Sequence, residues 1–376
     1  MVGVLQRMLD RRRVLRGGAA ACGALALGGA ARFGAHAQDA AEAPSDASDL
    51  EGLIAAAQRE NAIVSYGMPP EWANYAEMWE VFLDTYEIAD WEDTDMGSAI
   101  QIAKFLAEAE NPIADIGEIG ILFAPSAVQF GVAAPFKNDT WDEIPDWAKH
   151  PDGLWAAVNY GSLAFWVNTD VVDTVPRTWQ DLLRPEYAGL VTIDDPRTAA
   201  QGNFAVIGAA FANGGDELDI EPGLIYFREM NDVGNLNPIG LEIDRVRSGE
   251  TVIGVGWDYL GLAWRDTVSE DGVTLEVVIP EDGSTVGPYV SIINKWAPHP
   301  NAARLMRNFI LSPEGQTIYA RGYATPILPS VEIPPDIQEQ RPPPEAYAAV
   351  RPIENWPAAV VSSQAIAERW STDVLG

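Results

Sequence analysis

Cysteine and histidine are nearly missing from this 376-residue chain, and basic residues are scarce: Lys and Arg total 24 against 55 Asp and Glu. The one cysteine, Cys22, sits in the N-terminal segment, and the histidines are His36, His150 and His299. Disulfide frameworks, thiolate metal sites and cysteine nucleophiles are therefore excluded from the body of the protein. No His/Asp/Glu set has metal-ligand spacing, and no Ser–His pair lies in a nucleophile-elbow context. The formal charge of −31 repels nucleic acid and anionic membranes, so neither is an expected partner. No apolar run reaches the roughly 18–20 residues that a membrane span needs. Gly254-x-Gly256 begins like a dinucleotide fingerprint but has Tyr259 where the third glycine belongs, and that reading fails. No cofactor is expected.

What is present begins with an export segment. Arg11-Arg12-Arg13 precedes a Gly/Ala-rich, weakly apolar stretch, and Ala35-His36-Ala37 has the A-x-A form of a cleavage site. The glycines interrupting the apolar stretch favour twin-arginine export over the general secretory route. Cys22 lacks the aliphatic residue three positions earlier that lipidation requires, since Ala19 is there. Cleavage after Ala37 removes six arginines and one acid, which takes the charge from −31 to −36. Such acidity reflects a saline habitat, a cationic ligand, or both.

Beyond a polar linker (38–48), short apolar runs alternate with amphipathic segments. Helices are expected at 49–60, 72–86, 98–109, 179–184, 199–212, 224–230, 241–248, 301–320 and 360–370. Strands are expected at 62–66, 114–119, 162–168, 189–193, 251–255, 274–280 and 289–294. The alternation predicts an α/β fold with a largely parallel sheet. At this length the chain forms two domains or one bilobal unit.

The stretch 153–215 carries a family resemblance. Asn168-Thr169-Asp170 is followed by Pro176-Arg177-Thr178-Trp179-Gln180-Asp181-Leu182-Leu183-Arg184-Pro185-Glu186-Tyr187-Ala188-Gly189, then Asp195-Pro196 and a small-residue helix start. This order resembles the family 1 extracellular solute-binding proteins, receptors of ABC importers for ferric iron, polyamines, thiamine and similar ligands. Ala297-Pro298-His299-Pro300-Asn301 and Leu311-Ser312-Pro313-Glu314-Gly315-Gln316 resemble the same family. The resemblance implies a type II periplasmic-binding-protein fold, with two α/β lobes, two crossover strands and a ligand cleft. It places lobe 1 at 49–160 and 275–325, lobe 2 at 161–274, and a tail at 326–376 on the lobes. It further implies a monomeric periplasmic receptor rather than an enzyme, with ABC permease subunits as partners. A secreted α/β hydrolase is the alternative class, for which no base or nucleophile can be named.

In such sheets ligands bind beyond the carboxyl ends of strands. On that rule the candidate ligand residues are Tyr66, Asp95, Ser98, Glu118, Tyr160, Arg197, Thr198, Trp257, Asp258, Tyr259 and Tyr289. The ferric branch of the family shows adjacent tyrosines, and this sequence has no Tyr-Tyr pair. The turn Asp195-Pro196-Arg197-Thr198 opens a helix whose free amides suit a ligand oxygen, or is a simple N-cap. An ammonium donating to Asp258 and lying against Trp257 makes a polyamine-like cation the expected ligand. Arg197 would instead favour a phosphonate or sugar phosphate, a ferric complex is a further alternative, and Asp258 as a helix cap with Trp257 in the core is the competing structural reading.

Overall fold

A computed structural model describes residues 46–376. The twin-arginine segment, the Ala37 cleavage site and most of the 38–48 linker lie outside these residues. The strands are β1 (Ala62–Tyr66), β2 (Asp90–Thr94), β3 (Ile116–Gly120), β4 (Ala133–Ala134), β5 (Ala156–Asn168), β6 (Val191–Thr192), β7 (Ile253–Trp257), β8 (Leu275–Val278), β9 (Ser284–Asn294), β10 (Thr325–Pro326) and β11 (Val350–Arg351). The main path runs β2-β1-β3-β9-β5-β7-β6.

Two long strands join two lobes. β9 lies antiparallel to β3, with Glu118 opposite Ser291 and Gly120 opposite Tyr289. The first half of β5 pairs with β9, and its second half pairs with β7 and β8. β1, β2 and β3 are parallel and make the first lobe's sheet with β9. β6 and β7 are parallel and make the second lobe's sheet with β5. The sheet is therefore mixed rather than largely parallel, because the chain passes between lobes on antiparallel strands. β8 pairs with Phe165–Asn168 and thus runs with the second lobe's strands, although the expected boundary at 275 assigned it to the first.

The elements form for local reasons. The helix Leu50–Glu60 is started by Asp49, whose carboxylate accepts the Gly52 amide at 2.9 Å, and it buries Leu53 and Ala57. The helix Ala200–Ala212 is buried on nearly every face, consistent with its small and apolar residues from Phe204 to Ala212. β2 was expected as loop. Its sequence, Asp-Trp-Glu-Asp-Thr, carries little apolar signal because it is an edge strand paired only with β1. The segment 179–184 is a 3₁₀ turn, Asp181–Leu183, rather than an α-helix. The tail is not a loose appendage: the helix Trp356–Arg369 begins at an Asn355 cap and buries Ala359, Ser363 and Ile366.

Candidate ligand cleft

A cleft of about 530 Å³ opens between the lobes. The first lobe contributes the turn after β1 (Gly67, Pro69, Glu71, Trp72), the turn after β2 (Asp95, Met96, Gly97, Ser98) and Glu118 on β3. The second lobe contributes Asp194 just after β6, Ala199 and Ala200 at a helix start, Gly240 to Glu242 with the first residues of the helix Ile243–Arg247, and Trp264. Tyr289 on the crossover strand β9 joins them. The strand-end rule accounts for most of this lining.

Charge dominates the cleft. Six carboxylates line it (Glu71, Asp95, Glu118, Asp194, Glu242 and Asp244), with no lysine, arginine or histidine among the described lining residues. Asp95 lies within the field of Glu71 and Glu242. Loss of water around it, then those like charges, pushes its carboxyl up against the pull of the Met96 amide. Burial also raises Asp194, whose carboxylate accepts the Leu241 amide at 2.8 Å and the Gln201 amide group at 2.9 Å. The Leu241 bond fixes the approach to the helix Ile243–Arg247, at whose start Glu242 and Asp244 stand. Behind Asp95, Asp93 takes the Ser65 hydroxyl and the Met68 amide, yet burial pushes it to about 6.

Glu118 is 2% exposed and forms the cleft floor. It accepts hydrogen bonds from the Tyr75 and Tyr319 hydroxyls and from the Asn159 side chain. Desolvation outweighs these donors and lifts its carboxyl to about 7. Four rings in and behind the cleft lining are arranged edge to face. Trp72 meets Tyr289 at 5.4 Å and Tyr259 at 5.9 Å, and Trp257 donates its indole N–H to the Tyr289 hydroxyl at 3.3 Å.

Of the residues named from sequence, Asp95, Ser98, Glu118 and Tyr289 line the cleft together. The other seven do not. The Tyr66 hydroxyl is turned to Glu108 and Lys104. Arg197 is paired with Asp195 and donates to Ser371 on the tail. Thr198 presents its backbone carbonyl to the Ala99 amide at 3.1 Å. Trp257 and Tyr259 are fully buried, behind Tyr289 and Trp72 respectively.

Asp258 is the clearest correction. It takes the amides of Ser162 (2.8 Å) and Tyr259 (2.9 Å), the Tyr347 hydroxyl (2.9 Å) and the Arg341 guanidinium (3.4 Å), so its ammonium-binding role has no cleft to act in. Desolvation pushes its carboxyl up, opposed by that guanidinium and the hydrogen bonds. Tyr160 sits within the field of the same Asp258–Arg341 pair. Glu71, Asp194, Glu242, Asp244, Trp72 and Trp264 were not anticipated. Glu71 and Asp194 follow strand ends and were open to the same rule, whereas Glu242 and Asp244 stand at the start of the short helix Ile243–Arg247, which follows no strand directly.

A family model described as bacterial extracellular solute-binding protein matches residues 111–349, and the chain belongs to that family. A periplasmic protein of Salmonella typhimurium named as a 2-aminoethylphosphonate-binding protein is 27% identical over 290 residues, covering 73% of this chain and 80% of that protein. An uncharacterized Haemophilus influenzae protein is 31% identical over 237 residues, and the match spans 59% of this chain and 65% of that protein's length. The spermidine/putrescine-binding periplasmic protein of Escherichia coli is 29% identical over 174 residues, 45% of this chain and 48% of that protein. Among solved structures, the periplasmic binding protein AfuA of Actinobacillus pleuropneumoniae, with exogenous fructose-6-phosphate bound, superposes with a TM-score of 0.65. It is 23% identical and covers 84% of this chain and 98% of its own, which establishes the type II periplasmic-binding-protein fold.

Proposed function

We propose that this chain is the periplasmic receptor of an ABC importer, and that its ligand is a small organic cation bearing a primary amine, of the polyamine kind. The single observation carrying the ligand reading is the lining itself: six carboxylates and the rings of Trp72, Trp264 and Tyr289, with no basic side chain among the described lining residues. An ammonium offers several N–H donors, and a carboxylate is acceptor-only when ionised. Aromatic faces add cation–π attraction. Among the relatives, one is named for 2-aminoethylphosphonate and one for spermidine and putrescine, molecules that share a primary ammonium. A phosphonate finds less support, since an oxyanion would enter a field of like charge, and a directly bound ferric ion finds less because no group of three or more His, Cys, Asp or Glu among the described residues is placed to hold a metal ion.

The moving units in this reading are a first lobe from about residue 49, a second lobe entered along β5 and left along β9, and the tail on both. The chain is exported through its twin-arginine segment, cleaved after Ala37, and acts as a monomer that delivers ligand rather than transforming it. Among the described residues no helix is long and apolar enough to cross a membrane.

Calorimetry with putrescine, spermidine, 2-aminoethylphosphonate and ethylphosphonate tests the reading. A charge-assisted hydrogen bond contributes about 1.5–3 kcal/mol, so Asp95→Asn should weaken amine binding by at least about tenfold. Ethylphosphonate, which has no amine, should not bind. Its binding as tightly as the amines would overturn the cationic reading.

A further inference from the structure

The lobes touch at points where the first lobe has no side chain to offer. Gly97 and Gly120 flank the cleft, and both have extended backbone with negative φ, so neither is glycine for conformational reasons. A Cβ on Gly97 would stand 2.9 Å from the Thr198 carbonyl oxygen. A Cβ on Gly120 would stand 2.2 Å from the Ala200 Cβ. The close approach lets the Thr198 carbonyl accept the Ala99 amide at 3.1 Å, at the start of the helix Ser98–Ala107. Across the cleft the Trp264 indole donates to the Glu71 carbonyl at 3.4 Å. Backbone thus meets backbone on one side, and an indole meets backbone on the other.

We propose that Gly97 and Gly120 are positioning residues for ligand capture: with no side chain, they let the Thr198–Ala200 segment seat against the first lobe, and the seated contact holds the closed receptor. This rests on the receptor reading. The seat is neutral, while the cleft beside it is acidic on both walls. Asp95 on the first lobe lies in the field of Glu71 beside it and of Glu242 on the second, whose partner Arg245 at 3.3 Å stands at the rim, so the walls repel when the lobes meet without a cation. A ligand of opposite charge removes that repulsion, and the glycine seat then contributes its hydrogen bond and contact area. Closure in this scheme is decided by the difference between the two terms, as any ligand-driven population shift must be. The Thr198 carbonyl also takes a first-turn amide that an oxyanion would use, so the closed seat itself disfavours anions.

Exchanging one methyl group across the seat tests this. Gly120→Ala adds a methyl against Ala200, and Gly120→Ala/Ala200→Gly moves it to the other lobe. Scattering on the full chain with saturating putrescine should show compaction for the parent and the double variant but not for Gly120→Ala. Putrescine affinity should fall by more than about tenfold in Gly120→Ala and return to within about threefold of the parent in the double variant. Gly97→Ala should behave like Gly120→Ala. All variants should unfold at the parent's temperature without ligand, because the lobes are then apart. Normal compaction of Gly120→Ala, absence of rescue, or an equal loss of ligand-free stability would each overturn the proposal. If putrescine fails to bind the parent, the amine reading falls, and the seat is tested by the same comparison in 1 M NaCl, where a Debye length of about 3 Å screens the walls. Partial compaction of the parent and double variant but not of Gly120→Ala would support the seat, and no difference among the three would refute it.

Discussion

Arg341 is a guanidinium brought from the tail to a carboxylate that has no contact with solvent. Its side chain is 7% exposed and that of Asp258 is 0% exposed. Replacing Arg341 with methionine keeps most of the volume and leaves Asp258 with neutral donors only: two backbone amides and the Tyr347 hydroxyl. Breaking a buried pair by removing one partner costs about 3–5 kcal/mol. The 3.4 Å separation and the three surviving donors put this case at the lower end, about 3 kcal/mol. The double variant Asp258→Asn/Arg341→Met carries no uncompensated charge and should lose less than Arg341→Met alone. Urea unfolding of the parent, both single variants and the double variant gives the coupling energy, expected at about 1.5 kcal/mol or more. Putrescine affinity should stay within about threefold of the parent in every variant that folds, since neither residue lines the cleft. A coupling below about 0.5 kcal/mol would refute a stabilising role for the buried Asp258–Arg341 pair. A tenfold loss of affinity in a variant of unchanged stability would return Asp258 to the ligand site.

Two more outcomes follow from the buried charges. Glu118 has its carboxyl raised to about 7 from an ordinary 4.5, so its contribution to stability is fully present below pH 4.5 and is lost as pH rises through 7. Urea unfolding at pH 5 and pH 8 should therefore show the parent weaker at pH 8, and Glu118→Gln should flatten that slope by up to about 3 kcal/mol; an unaltered slope would mean that Glu118 is ionised at both pH values. Arg307, fully buried, donates to the Ser291 hydroxyl and to the carbonyls of Ser291, Phe136 and Gly153, and desolvation lowers its pKa to about 9. Arg307→Met strands those carbonyls and should destabilise the chain by about 3 kcal/mol or more; a neutral result would show that water serves them instead.

How far the sequence could be read depended on the range of the interaction involved. β1, the helix Ala200–Ala212 and the first-lobe ligand turns are set by nearby residues: an apolar run, a small-residue stretch, a turn after a strand. Periodicity and the strand-end rule reach these, and they reached Asp95, Ser98 and Glu118. β2 escaped because an edge strand need not be apolar, and its alternating acids read as loop. The full length of β5 escaped for a different reason. It changes partners from β9 to β7 and β8 near Ser162, and the Gly161-Ser162 step looks like a strand start when it is the passage between lobes.

The error at Asp258 has the longest range. Trp257-Asp258-Tyr259 does stand at the end of β7, as expected, so the rule placed the backbone properly. A strand end nevertheless presents side chains to more than one side, and which side meets ligand depends on what else has been packed there. Here the occupant is Arg341, 83 residues further on, in a Pro-rich stretch with little periodic signal. From sequence, Asp258 invites a cation from outside the chain, while the tail supplies one from within. Of the carboxylates around the cleft, Glu71 and Asp95 on one wall have no salt-bridge partner among the described residues, whereas Glu242 and Asp244 on the other reach Arg245 and Arg247 at the rim. Rim pairs of this exposure contribute little. Most of the chain's acidity covers solvated faces, and the few carboxylates that line the cleft beside Trp72, Trp264 and Tyr289 are the ones on which the proposed cationic ligand rests.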